Sequence, residues 1–114
     1  GKETVVVNES PGFITSRVNA LVGNEAFRML QEGVASAEDI DTAVRLGLNH
    51  PMGPLEMVDM VGLDTRLHIL EHLQKTLGDR YRPTPIHLKH VAAGRLGRKT
   101  GRGVYTYDEQ GRRK

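Results

Sequence analysis

The chain contains no cysteine and no tryptophan, and aromatic residues make up only 4% of its 114 residues. Without cysteine, neither disulfide bonds nor thiolate metal sites can form. The scarcity of aromatic rings argues against the stacking platforms that bind single-stranded nucleic acid. Long apolar runs are also missing, so no segment has the length of a membrane span, and no signal-peptide core follows Gly1. These absences predict a soluble cytoplasmic domain whose partner is neither a membrane nor nucleic acid.

The formal charge is small overall but unevenly distributed. The net charge is +2, yet residues 1–50 contain four Lys and Arg against seven Asp and Glu, whereas residues 51–114 contain twelve against seven. This late excess of cations favours a local anion site or a solvated tail over a general nucleic-acid surface. A helical binding module that uses the basic tail is the alternative function. The late cations are Arg95, Arg98, Lys99, Arg102, Arg112, Arg113 and Lys114.

The spacing of apolar and helix-breaking residues predicts one strand followed by five helices. Three consecutive valines within residues 1–10 are typical of a short strand. Ser36 is expected to cap the second helix, and Asp64 or Thr65 the fourth. A short extended piece is expected at residues 104–107. The sequence therefore predicts a mainly α domain preceded by one strand that has no partner strand of its own. The expected helices span residues 13–32, 36–47, 54–62, 64–77 and 83–94.

Small and polar residues form a stripe along the first predicted helix. Gly12, Ser16, Asn19 and Gly23 recur every three or four residues, so they lie on one helix face. A close crossing with another helix is the commoner cause of such a stripe. A face that a ligand approaches closely is the alternative.

A histidine-rich stretch matches a known zinc pattern. His68, Glu71 and His72 fit H-x-x-E-H. On a helix these three side chains lie opposite the leucines of the same segment, which predicts a solvated face. A catalytic zinc also needs a third ligand and a cleft. No metal site is therefore predicted there, nor at His87 and His90.

Two carboxylates lie three residues apart on the third predicted helix, at Glu56 and Asp59. Paired carboxylates can act as a general acid and base. Near a helix N-terminus, however, acidic residues are usually surface charges. We expect the latter here.

The segment GRLGRKTGRG at residues 94–103 is rich in glycine and basic residues. Such composition can cradle a phosphate, because glycines free backbone N–H groups and the cations supply charge. The segment lacks the strand–loop–helix context of a nucleotide-binding loop. A flexible turn explains it equally well. Arg98 and Lys99 are the candidate anion-binding residues.

Several stretches together resemble the C-terminal domain of the short-chain 3-hydroxyacyl-CoA dehydrogenases, above all the 3-hydroxybutyryl-CoA branch. They are SPGFITSR at residues 10–17, NEA at 24–26, EGVASAEDIDTAVRLGLNHPMGPLEMVDMVGLD at 32–64 and RPTPIHLKHVAAGRLGRKTGRGVYTY at 82–107. The resemblance implies that residues 11–114 form a helical substrate-binding and dimerisation domain, similar to the C-terminal domain of 6-phosphogluconate dehydrogenase. It implies that residues 1–10 are the last strand and linker of a Rossmann domain outside this chain.

The resemblance also implies an activity. Enzymes of this family transfer a hydride between a 3-hydroxyacyl-CoA and NAD in fatty acid and butanoate metabolism. Their N-terminal domain binds NAD and carries a catalytic histidine and glutamate. No catalytic residue, NAD site or metal is therefore expected in this chain, which should be inactive alone. The helical domain is expected to close the acyl-CoA cleft and to form a homodimer.

One residue departs from the family pattern. Ser16 stands where many members have an asparagine that holds the substrate, within a PGF-x-x-NR sequence. A serine hydroxyl can donate and accept a hydrogen bond, but it is shorter. The resemblance favours Ser16 and Asn19 as the substrate-binding residues. It also implies that the stripe faces the cleft at its N-terminal end and packs against the core further along.

Overall fold

The computed structural model describes residues 13–114, which fold into five α-helices joined by short loops. Within these residues no helix has the length and apolar character needed to cross a bilayer. The predicted mainly α domain of five helices is confirmed, and the strand predicted for residues 1–10 lies outside the described residues. The helices are α1 (Phe13–Gln31), α2 (Ala37–Gly47), α3 (Pro54–Val61), α4 (Leu63–Leu77) and α5 (Pro85–Ala92).

The helix ends follow from local chemistry. The Ser36 hydroxyl accepts a hydrogen bond of 3.1 Å from the amide of Asp39, so the predicted cap of α2 is confirmed. Pro54 begins α3, where its missing N–H leaves no donor unsatisfied.

The predicted cap of α4 is wrong. This helix begins at Leu63, and Gly62 precedes it, so Asp64 and Thr65 lie inside the first turn. Gly62 has a φ of +107° and is the single residue between α3 and α4. Because this turn is so short, no residue of the loop is left to cap the helix with its side chain.

Two groups of buried apolar side chains form the core, and α1 contributes to both. The larger group joins α1 to α2, α3 and the start of α4. The smaller group joins α1 to the middle of α4 and to the 3₁₀ turn Asp79–Tyr81. The helix α1 contacts the four other helices and the 3₁₀ turn Asp79–Tyr81, so its position is set by most of the domain. The buried members are Ala26, Phe27, Ile40, Leu55, Val58 and Leu63 in the first group, and Ala20, Leu70, Leu73 and Tyr81 in the second.

The segment after α5 consists of loops that are joined by isolated β-bridges and form no sheet. A single turn of 3₁₀ helix, Arg98–Thr100, is followed by isolated antiparallel bridges. These bridges join Gly97 to Arg102, Arg102 to Thr106, and Tyr107 to Arg113. The extended piece predicted at residues 104–107 thus makes single bridge contacts at its last two residues.

Candidate functional site

The stripe on α1 changes character along its length. Ser16 and Asn19 are exposed, whereas Gly23 is buried, and Gly12 lies outside the described residues. The N-terminal half of the stripe therefore faces outward and its C-terminal end is a packing surface. The two candidate substrate-binding side chains lie one turn apart on this outward face.

Arg66 of α4 supports the stripe from inside the domain. Its side chain is buried, and Nη1 donates a hydrogen bond of 2.8 Å to the backbone carbonyl of Asn19. Gly23 makes room for the guanidinium, because a Cβ there would lie 2.6 Å from Nη1. Burial lowers the pKa of Arg66 below the usual arginine value.

The opposite face of α1 is apolar. Ile14, Val18 and Leu21 are all partly or largely exposed and follow one another in steps of four and three, so they share one face. With Tyr81 they line an open groove of about 300 Å³. In an α-helix this face lies about 180° from Ser16 and Asn19. The first turns of α1 therefore present two different surfaces on opposite sides.

Asp59 is the centre of a buried polar network and not a surface charge as predicted. It is 1% exposed. Its Oδ1 accepts a hydrogen bond of 2.8 Å from the amide of Val104, and Oδ2 accepts one of 3.0 Å from the amide of Tyr105 and one of 2.6 Å from the hydroxyl of Tyr107. The last loops of the chain close over α3 through this carboxylate, so its role is structural.

Asp41 makes a second network of the same kind. This buried residue of α2 accepts hydrogen bonds from the amides of Leu55 and Glu56 at 2.7 and 3.0 Å, and from the hydroxyl of Tyr105 at 2.6 Å. It thus caps the N-terminus of α3 from a different helix. Burial and the neighbouring carboxylate raise the pKa of Tyr105, and the same causes raise that of Tyr107.

The glycine-rich loop is shaped by its packing against Asp59. Gly97 has a φ of +114°, and a Cβ there would collide with the backbone carbonyl of Asp59. A Cβ at Gly103 would collide with the Asp59 carboxylate. These two glycines therefore allow close backbone approach, and the loop is a packed structural element rather than a flexible turn.

The candidate anion-binding residues of this loop each lie near a carboxylate. Lys99 Nζ is 2.7 Å from Asp64 Oδ1, and this contact lowers the pKa of Asp64. Arg98 Nη2 is 3.8 Å from Glu56 Oε1, and Arg98 Cζ lies 5.7 Å from the ring centroid of Tyr107. The 3₁₀ turn that carries Arg98 and Lys99 packs on α3 and does not contact α1, the helix of Ser16 and Asn19. An anion bound to Arg98 or Lys99 would compete with these two carboxylates. Anion binding by this loop stays a prediction.

The histidines lie in two different environments. His68, Glu71 and His72 are exposed, which confirms the predicted solvated face. His87 is fully buried, donates from Nε2 to the carbonyl of Leu63 at 2.8 Å and stacks on Phe27. Within residues 13–114 no group of three or more metal-ligating side chains is assembled.

Sequence patterns did not reveal several of these buried polar residues. Asn24 donates to the carbonyl of Arg82 at 2.8 Å and accepts from the amide of Thr84 at 3.2 Å, which ties α1 to the start of α5. Asp41 follows the buried Ile40 directly, and that adjacency is the one local signal that it points inward. Nothing local marks Arg66, because its partner is a backbone carbonyl 47 residues away.

The family model for the 3-hydroxyacyl-CoA dehydrogenase C-terminal domain matches residues 12–107. A Bacillus subtilis protein described as "Probable 3-hydroxybutyryl-CoA dehydrogenase" is 52% identical over 111 residues, which is 96% of this chain and 39% of that protein. A 3-hydroxybutyryl-CoA dehydrogenase of Bradyrhizobium diazoefficiens is 50% identical over 108 residues, covering 94% of this chain and 37% of that protein. The chain thus spans about two fifths of the length of these curated relatives.

A solved structure gives the same result. The crystal structure of (S)-3-hydroxybutyryl-CoA dehydrogenase from Ralstonia eutropha superimposes with a TM-score of 0.85 at 52% sequence identity. The match covers 88% of this chain and 36% of that one. The likeness to this enzyme therefore holds in sequence as well as in fold.

Proposed function

Since the chain belongs to the 3-hydroxyacyl-CoA dehydrogenase C-terminal domain family, we propose that it serves as the substrate-side domain of an NAD-dependent 3-hydroxybutyryl-CoA dehydrogenase. In this role it closes the acyl-CoA cleft, and a preceding domain supplies the NAD site and the catalytic histidine and glutamate. The proposal rests above all on the 52% identity to the Ralstonia eutropha enzyme across most of the chain. The domain itself supplies no catalytic group.

The exposed end of the α1 stripe is the proposed contact with the substrate. Ser16 and Asn19 are exposed side chains that can both donate and accept hydrogen bonds. The helix beneath them is held by the core and by Arg66, so the two groups are presented on a rigid element. Such groups can orient a thioester, and the reaction then proceeds on residues of the other domain.

The apolar face of α1 supports homodimer formation. Ile14 and Val18 are each 51% exposed, and Leu21 is 37% exposed. Contiguous exposed apolar surface on a domain of this size is typical of an interface. Because this face lies opposite Ser16 and Asn19, a second copy could cover it without blocking the cleft. The proposed location of the assembled enzyme is the cytoplasm.

A chimera tests the proposed activity. Residues 13–114 replace the matching segment of the Bacillus subtilis relative, and NADH formation is followed at 340 nm with (S)-3-hydroxybutyryl-CoA as substrate. The expected result is turnover by the chimera and none by the same relative cut before the replaced segment. A folded, NAD-binding chimera that oxidises no 3-hydroxyacyl-CoA of any chain length would refute the proposal.

A further inference from the structure

A buried cation lies directly beneath the proposed substrate face. Arg66 is 4% exposed, and its guanidinium crosses from α4 to α1 to reach the carbonyl of Asn19 at 2.8 Å. Within residues 13–114 no carboxylate lies within ion-pair distance of it. Its neighbour across the helix crossing is the small Gly23, with Val58 beside it.

This arrangement is costly if its purpose is packing alone. Burying a charged group without a counter-ion is unfavourable. An apolar side chain of similar volume would fill the same space at a lower cost in folding free energy. The single hydrogen bond that Arg66 makes within the described chain goes to one backbone atom of α1. That atom belongs to one of the two exposed residues of the stripe.

The stripe itself accommodates this contact. Any side chain at position 23 would meet Nη1 at 2.6 Å and the Val58 methyl at 3.1 Å. Gly23 therefore keeps the guanidinium aligned with the Asn19 carbonyl. Ser16 lies one turn before Asn19, so the orientation of both side chains depends on the backbone that Arg66 holds.

We propose that Arg66 is a positioning residue for substrate binding, which acts by fixing the first turns of α1 through the Asn19 carbonyl in the space that Gly23 leaves. The inference rests on the proposed function of this face. It assigns Arg66 no contact with the substrate. A loss of Arg66 should therefore weaken acyl-CoA binding while it leaves the binding of NAD unchanged.

The first experiment is steady-state kinetics in the chimera. Arg66→Met should raise the KM for (S)-3-hydroxybutyryl-CoA about tenfold, which is less than the full value of a hydrogen bond to a charged group because Arg66 acts on the substrate only through α1. The KM for NAD should not change, and Arg66→Lys should recover part of the loss. Lys75→Met, which removes an exposed cation from the same helix, is the matched control and should behave as the parent.

The second experiment is a double-mutant cycle. Gly23→Ala should push the guanidinium away from Asn19 and raise the same KM. In the Arg66→Met background it should have a much smaller effect, because the contact is already gone. Additive effects of the two changes, or equal changes in both KM values, would contradict the proposal.

The third experiment separates this inference from the proposed function. In the 114-residue chain itself, Arg66→Met should speed hydrogen exchange at the amides of residues 20–23 more than at those of residues 27–31 of the same helix. Selective loosening with an inactive parent chimera would refute the proposed function and leave the positioning contact supported. Uniform loosening along α1, or none, would overturn the inference whatever the activity.

Discussion

The hydroxyl of Tyr107 donates a hydrogen bond of 2.6 Å to the buried Oδ2 of Asp59. This bond joins the C-terminal segment to the last turn of α3, 48 residues earlier. The same carboxylate accepts hydrogen bonds from the amides of Val104 and Tyr105, so one side chain binds three donors of residues 104–107. Three donors of residues 104–107 therefore converge on one carboxylate.

Replacing that carboxylate should be strongly destabilising. Asp59→Asn removes one acceptor oxygen and leaves buried donors unpaired, so we expect a loss of about 3 kcal/mol in the free energy of unfolding. Tyr107→Phe should cost less, about 1.5 kcal/mol, because it removes one donor only. Urea denaturation followed by circular dichroism measures both. Equal stability of Asp59→Asn and the parent chain would contradict the network.

Asp41 offers a test of capping from another helix. Asp41→Ala should lower the free energy of unfolding by about 2 kcal/mol, because the first amides of α3 lose their acceptor. Asp39→Ala, an exposed change in the same helix, is the control and should stay within about 0.5 kcal/mol of the parent. Thermal melts at pH 7 compare the three proteins. A cost at Asp39 as large as that at Asp41 would argue against the cap.

Two glycines of the same loop should respond differently to alanine. Gly97→Ala combines a φ of +114° with a collision against the Asp59 backbone, and we expect a loss above about 3 kcal/mol. Gly101 has a φ of +77° and open space around its Cα, so Gly101→Ala should cost only about 1 kcal/mol. The denaturation midpoints of the two variants check the difference. Equal midpoints would show that the close contact between Gly97 and Asp59 does not stabilise the loop.

The buried imidazole of His87 should make stability depend on pH. Burial lowers the pKa of His87, and the nearby Arg66 and His90 act in the same direction while the Leu63 carbonyl and Glu71 oppose them. The unfolded chain therefore binds the proton more readily, and stability that is complete above the unfolded pKa of about 6.5 is lost as the pH falls below it.

Melting temperatures at pH 7.5 and pH 5.5 test this dependence. The parent chain should lose more on acidification than His87→Gln, which cannot take up the proton. His68→Gln, on the exposed face of α4, should keep the parent's pH dependence. A dependence on pH that survives unchanged in His87→Gln would assign it to other groups, His90 among them, whose pKa is also lowered by burial.

Ser16 provides the test of the substrate face. In the chimera, Ser16→Ala should raise the KM for (S)-3-hydroxybutyryl-CoA about tenfold, because it removes one hydrogen-bonding group from a contact with the substrate. Glu25→Gln, an exposed change on the other side of α1, should leave that KM unchanged. An unaltered KM in Ser16→Ala would remove Ser16 from the site.

Local sequence patterns predicted the helices well because their determinants lie within a few residues of one another. The apolar period of α1, the Ser36 hydroxyl and Pro54 act on their own helix, and each element was confirmed at nearly the expected bounds. The solvated face of His68 and His72 followed from the helical period alone. The cap of α4 failed because a single glycine, Gly62, both ends α3 and precedes α4.

The sequence by itself thus determined the five helices and, through its motifs, the family. Only the tertiary structure decided the burial and the hydrogen-bond partners of Asp59, Asp41 and Arg66. These partners lie 14 to 64 residues away along the chain. The carboxylate of Asp59 is buried because residues 103–107 pack over the last turn of α3, and that loop is placed by contacts that no local pattern encodes. Burial and long-range hydrogen bonds arise only when the helices meet, and for that reason the glycine-rich loop and the stripe on α1 could be interpreted only from the folded chain.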